Sequence, residues 1–315
     1  MPVELPSSRS STERKRVKGR KRGGNLLLTK LVVGWCLFLA VLIFGARLIW
    51  KDTGKPERPA VHTDATSTIS ETDFALLEKS GPQCNEVLFK FLSAGTPEER
   101  NQFVLSPVIT AGRMARYYAS NPVAVIDPQK LSLIAQAVVH LPGRTMIETQ
   151  WKSADGKLFD AAFAEENDEW RLDWDHYARY SNESWNLFVA GHGSEDGEFR
   201  VLAREPLADE RKGSESIGIV LYEPRFGYAN DIGQQSPQFL LKRDSEDGRL
   251  LEAAFKLEKA GKRVYNPDLP RIDPKDLIRL RVKVRSEAGG PDGHLFKIEK
   301  IVAAHWYSLD DAGVK

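Results

Sequence analysis

Cysteine is nearly missing from this chain. Of 315 residues only Cys36 and Cys84 carry a thiol. Cys36 lies inside a long apolar run and Cys84 well beyond it, so no intramolecular disulfide framework is available and a core must close by packing. Cys84, on a helical pattern, reads as a small apolar core residue. The six histidines are His62, His140, His176, His192, His294 and His305. None stands in an H-x-x-x-H or Cys/His spacing, which argues against a structural zinc site. There is no P-loop and no G-x-S-x-G. Gly191-His192-Gly193 and Gly289-Gly290 lack the strand-to-helix setting of a phosphate cradle. No repeat of fixed period is present. The sequence therefore nominates no catalytic, cofactor-binding or metal-ligating residue and implies no cofactor.

What is present begins with an apolar stretch at residues 26–50. No charge falls between Leu31 and Ala46, and Lys30 and Arg47 sit near its ends. As a helix it would span roughly 37 Å, enough for a hydrocarbon core of about 30 Å. A cleaved signal peptide fits less well, because Phe44-Gly45-Ala46 puts an aromatic where a small residue belongs. Trp35 before Cys36 argues against a lipid anchor there. The expectation is a retained single-span helix that contacts the lipid bilayer. Residues 1–25 form a basic tail with eight Lys/Arg against Glu4 and Glu13. It has too few apolar residues to fold. The positive-inside rule places that tail in the cytoplasm and the body outside it, as in an inner-membrane envelope protein of a bacterial cell. Anionic lipid is a candidate partner of the tail. Beyond Trp50 there are 35 basic and 42 acidic residues, so the body carries about −7. An acidic body suits nucleic acid poorly.

Residues 51–71 read as a Pro- and Ser/Thr-rich linker. A first unit, 72–190, opens with helices. Phe74, Leu77, Val87, Leu88, Phe91 and Leu92 recur at helical spacing, interrupted near Gly81-Pro82. Thr96-Pro97-Glu98-Glu99 is a capping-box helix start, and Pro107 to Ala119 is a further helix. Arg144–Trp151, Lys157–Ala164 and Glu169–Trp174 predict a three-stranded antiparallel meander turning at Asp155-Gly156 and Asn167-Asp168. Alternation puts Trp170, Leu172 and Trp174 on one face, which Phe91, Met114 and Tyr118 can cover, and turns Asp173 to solvent. Asp175 to Val189 predicts one helix. A second α+β unit, 191–315, follows, with Ile217–Tyr222 as a central strand, a helix over Leu250 to Ala260, and strands at Leu277–Arg285 and His294–Ala303.

Two clusters invite a chemical reading. Asp173, Trp174, Asp175, His176, Tyr177 and Tyr180 bring carboxylates and an imidazole together. The structural reading, favoured here, is an Asp helix cap with aromatic packing. Arg279, Arg281, Lys283 and Arg285 line one strand face, either as a cationic stripe for an anion or, as favoured here, a solvated face with Glu299 across the hairpin. Asn182-Glu183-Ser184 matches a glycosylation acceptor.

The segment Phe91-Leu92, Thr96-Pro97-Glu98-Glu99-Arg100, Phe103-Val104, Met114, Tyr117-Tyr118 and Pro122, with Trp170-Arg171-Leu172-Asp173-Trp174, resembles a family of uncharacterised bacterial membrane-anchored proteins. Trp185, Phe188 and Phe199-Arg200-Val201 are similar to that family's next segments. Helices on a curved antiparallel sheet also resemble the NTF2-like fold. Neither resemblance implies an activity. The fold expected is α+β: a transmembrane helix, then two units with antiparallel sheets, the first NTF2-like. The function expected is a non-enzymatic interaction or binding module, the alternative an enzyme or small-ligand binder with a cone pocket.

Overall fold

The computed structural model describes residues 70–123, 126–206, 215–227, 232–265, 269–289, 293–309 and 313. The tail, the apolar stretch and most of the linker lie outside them. Among the described residues no helix is long and apolar enough to cross a membrane. This corrects the expected fold: the described chain is α+β with antiparallel sheets and no spanning helix. Both sheets belong to one compact unit, Ser67–Lys315, where two successive units are expected.

Helix α1 runs from Glu71 to Ser93, capped by the Ser70 side chain. It passes unbroken through Gly81-Pro82, against expectation. Its face of Leu77, Cys84, Leu88, Phe91 and Leu92 is buried on a sheet, and that packing outweighs the lost hydrogen bond of one proline. Gly81 is small for a reason: a Cβ there would stand 3.0 Å from Gln136 Oε1. Helix α2, Pro97–Arg100, carries the predicted capping box between Thr96 and Glu99. Helix α3 covers Pro107–Ser120.

The first sheet has four strands in sequence order: β1 (Ser132–Leu141), β2 (Arg144–Lys152), β3 (Leu158–Glu166) and β4 (Glu169–Leu172), all antiparallel. The predicted meander is β2–β4; β1 was not anticipated. The turns fall where predicted, with Gly156 at φ 84° and Asn167 and Asp168 at φ 55° and 62°. β2 and β3 are buried on both faces. One face, with Ile147, Trp151, Phe159, Ala161 and Phe163, joins α1, Trp170, Leu172 and Trp174 in the main core.

Two short helices follow instead of one, α4 (Trp174–Tyr177) and α5 (Trp185–Val189). Arg179, at φ 53°, breaks the path between them. The second sheet is ordered β10-β9-β5-β6-β7, with β8 also paired to β6. Its strands are β5 (Asp196–Arg204), β6 (Ser216–Pro224), β7 (Ile232–Gln235), β8 (Phe239–Lys242), β9 (Ile278–Ala288) and β10 (His294–Ala303). Helix α6, Glu246–Lys259, covers one face through Leu251, Ala254 and Phe255, which pack with Ile219, Leu280 and Val282.

Candidate functional site

The polar centre of the molecule starts from a period of two. In β2, Ile147, Thr149 and Trp151 point one way, so Glu148 and Gln150 point the other. In β3, Asp160 points with them, opposite Gln150 in register. This second face is buried too: Glu148 and Gln150 are fully covered and Asp160 nearly so. Three carbonyl-bearing side chains are thus carried into the interior by strands whose other face is the apolar core.

The cations come from elsewhere. Arg279 on β9 donates to Asp160, and through Nε and Nη2 to Asp273 at 2.7 and 3.1 Å. Arg263 reaches Glu148 at 3.1 Å. Tyr307 donates its hydroxyl to the other Glu148 oxygen at 2.6 Å. Arg281, also on β9, pairs with Glu198 at 3.0 Å and donates to the carbonyl oxygens of Tyr307 and Leu309. The expectation of a solvated Arg/Lys stripe therefore holds for only half of it. Lys283 and Arg285 are exposed, and Arg285 meets Glu299 at 2.7 Å as expected. Arg279 and Arg281 are buried, because the chain's last described segment, Ala304–Leu309, lies over their end of the sheet.

Each charge answers to that arrangement. Burial alone would raise the Asp160 carboxyl, but Arg279, His176 and Arg179 outweigh it and hold it well below the usual range. Glu148 is likewise lowered, burial being overcome chiefly by Arg263. Burial works against the Arg279 guanidinium, yet Asp160 and Asp273 keep its pKa raised. Burial together with the Glu148 charge pushes the Tyr307 phenol well up.

Glu148, Asp160 and His176 each bring one ligand atom within 4.8 Å of the others. A divalent cation does not fit there. Three carboxylates (Glu148, Asp160, Asp273) already face three guanidiniums (Arg179, Arg263, Arg279), and an ion would add two positive charges to a balanced, buried set. His176 stacks on Tyr307 with ring centroids 5.0 Å apart. Its Nε2 is 3.4 Å from Asp160 Oδ2. A cavity of about 50 Å³ lined by His176, Arg263 and Tyr307 has room for a few water molecules.

The structure does bring the Asp173–Tyr180 cluster together, with divided roles. Asp173 caps α4 through the His176 N–H and also accepts from the Ser308 N–H and hydroxyl. It is 1% exposed, which corrects the expectation that it faces solvent. β4 ends at Leu172, so the alternation stops one residue before it. Trp174, Tyr177 and Tyr180 pack as an aromatic group with Tyr117, Phe91 and Phe159. Asp175 differs. Its Oδ2 meets Arg113 and lies 3.6 Å from Arg200, while Oδ1 has no hydrogen-bond partner. Burial raises its pKa, against the pull of Arg200.

Asp175 lines a polar hollow of about 330 Å³ with Arg113, Glu198, Arg200, Arg281 and Ser308. Through Tyr180, Asn182 and Arg200 this hollow adjoins a larger open cleft of about 600 Å³. The end of α3, the segment between α4 and α5, and Glu223–Phe226 wall the cleft. Tyr117, Tyr180, Trp185 and Phe226 supply flat apolar walls. Arg116, Arg179, Arg200 and Arg225 stand in it against Glu183 and Glu223. None of the cleft's lining residues belongs to β1–β4. Sequence reasoning missed this cleft, because its walls come from four separated segments with no shared motif. The one local signal was the dense aromatic and polar run at 173–185.

No family model, no curated protein and no solved structure matches the chain.

Proposed function

We propose that the folded body is a non-enzymatic binding module that takes a small ligand in the 600 Å³ cleft. The cleft carries the reading. Its volume is in the range of small-molecule sites, its walls are aromatic, and a few polar groups converge on it. The buried carboxylates and arginines beside it are paired with one another and spend their charge on holding the two sheets together. The test is a small-molecule screen by ligand-observed NMR on the full chain and on Ser120→Trp. Ser120 is exposed on the cleft wall, so an indole there fills space without entering the core. Hits on the parent that vanish in Ser120→Trp, with an unchanged melting temperature, are expected. Hits that all survive the substitution place the ligand elsewhere and sink the reading.

Asp175 favours a second reading, an enzyme with a carboxylic general acid. A raised carboxyl with an unpaired oxygen, lining a hollow that adjoins the cleft, is the arrangement such a group needs. Asp175→Asn separates the two. A binding module keeps its ligand affinity, whereas an enzyme turns over its ligand and loses that turnover in the variant.

A further inference from the structure

We propose that the cleft recognises an oxyanion, a phosphate or carboxylate group borne on a small planar or apolar body, and that Arg179 and Arg116 are the cations that meet it. The inference rests on the cleft being a ligand site and goes on to name the ligand's chemistry.

Arg179 is the anomaly that points there. Its side chain is only 7% exposed, yet Nε and Nη1 make no hydrogen bond. Its nearest carboxylate contact is Nη2 to Asp160 Oδ1 at 3.9 Å, beyond hydrogen-bonding distance. Asp160 is already engaged by Arg279. The Arg179 guanidinium carbon lies 5.5 Å from the Phe226 ring centroid and 5.4 Å from that of Trp306. Aromatic faces hold a cation but do not accept its in-plane N–H groups. Burial accordingly lowers its pKa, Asp160 offsetting only part of the cost. The backbone adds to that cost, since Arg179 sits in the left-handed region that side chains rarely adopt. A buried arginine with unused donors on a ligand cleft is a poor structural element and a serviceable anion receptor.

The surroundings agree. The body as a whole is acidic, but the cleft wall holds four arginines and two glutamates. Arg200 is committed to the carbonyl oxygens of Trp306 and Tyr180 and is not the receptor. Arg116, on the exposed wall, makes only a long contact of 3.4 Å to the Tyr180 hydroxyl among its hydrogen bonds. Tyr117 and Phe226 offer the faces against which a flat ligand body would stack.

The experiment measures affinities of phenyl phosphate, benzoate and neutral benzyl alcohol for the full chain at equal ionic strength. The expected result is that at least one anion binds about tenfold or more tighter than the alcohol, with the tighter anion naming the source as phosphate ester or carboxylic acid. Arg179→Met should weaken the anions by about tenfold to a hundredfold and Arg116→Gln by less, neither changing the alcohol. Arg116 is exposed, so Arg116→Gln and the contrast among ligands on the parent chain decide the matter even if Arg179→Met fails to fold. Benzyl alcohol binding as tightly as both anions, and lost in Ser120→Trp, overturns anion recognition while leaving the cleft a ligand site. Anion affinity unchanged in Arg116→Gln and in a folded Arg179→Met also overturns it. Binding of none of the three probes, when other screened molecules do bind the cleft, overturns the inference alone.

Discussion

At the residue scale, the charges that matter most are those withdrawn from water. Asp160 illustrates the balance. Exposed ion pairs such as Lys90–Glu86 contribute little, about 0.3–0.5 kcal/mol for an i,i+4 helical pair. Asp160 is 3% exposed and serves Arg279 directly and Arg179 at longer range. Asp160→Asn keeps the shape and removes the charge, leaving Arg179 with no close counter-ion among its printed contacts and Arg279 with Asp273 alone. Breaking a buried pair from one side typically costs about 3–5 kcal/mol. Urea unfolding should therefore show a loss of that order for Asp160→Asn, and a loss under about 0.5 kcal/mol would mean the cluster is not a stabilising clasp. The sequence concealed this residue. In Phe159-Asp160-Ala161 a lone carboxylate between apolar residues reads as the wet face of a strand, and only a second sheet's arginines make it a dry one. Asp173 was misread for a related reason: the alternation that placed it outward ends at Leu172. Trp170 and Leu172, inside the strand, were placed correctly because the period-two pattern truly runs through them.

At the scale of elements, local chemistry was legible where the signal and its cause share a few residues. The Thr96–Glu99 capping box and the Asp155-Gly156 hairpin turn are of this kind. Elements set by distant packing were not. β1 carries no turn marker of its own and lies at the sheet edge. α1 runs through Pro82 because the sheet beneath it holds both halves. α6 begins at Glu246 although Asp247-Gly248 reads as a turn, since Ser245 caps it by accepting from the Gly248 N–H. Gly248 is needed for space rather than for its dihedral freedom. A Cβ there would stand 2.1 Å from the Lys242 carbonyl oxygen and 2.9 Å from the Arg243 backbone. Those are main-chain atoms that no rotamer change can move. Gly248→Ala should thus destabilise the protein by about 1–3 kcal/mol, the usual cost of overpacking, despite alanine's better helix propensity. Chemical denaturation checks this, and a stabilised variant would show that the helix start shifts freely.

At the scale of the whole molecule, Ala304–Leu309 ties the two sheets through groups from both. Trp306 accepts from Arg200 through its carbonyl and donates its indole N–H to Val201 on β5, while Tyr307 reaches Glu148 on β2 and Ser308 reaches Asp173. The junction is held by carboxylates that must stay ionised, so stability should depend on pH with a definite sign. Asp160 and Glu148 have folded pKa values below their unfolded ones. For such groups the stabilisation is complete above the unfolded pKa, about 4, and is lost as pH falls toward the lower folded value. Asp175 and Asp247 are raised by burial and act in the opposite sense, losing stability as pH rises past their unfolded values. Asp247 is half-exposed, and Asp175 keeps Arg113 and Arg200 nearby, so the two depressed, fully buried carboxylates should dominate. Melting temperature should therefore hold near neutrality and drop steeply below about pH 4. Because the pairs are dry, about 1 M salt should leave that acid limb in place, whereas surface ion pairs would be screened. In Asp160→Asn the limb should become shallower as well as lower, since one of its titrating groups is gone. An acid limb of unchanged slope in that variant, or a parent protein equally stable at pH 3 and pH 7, would show that the charges at the sheet junction are not what holds the two sheets together.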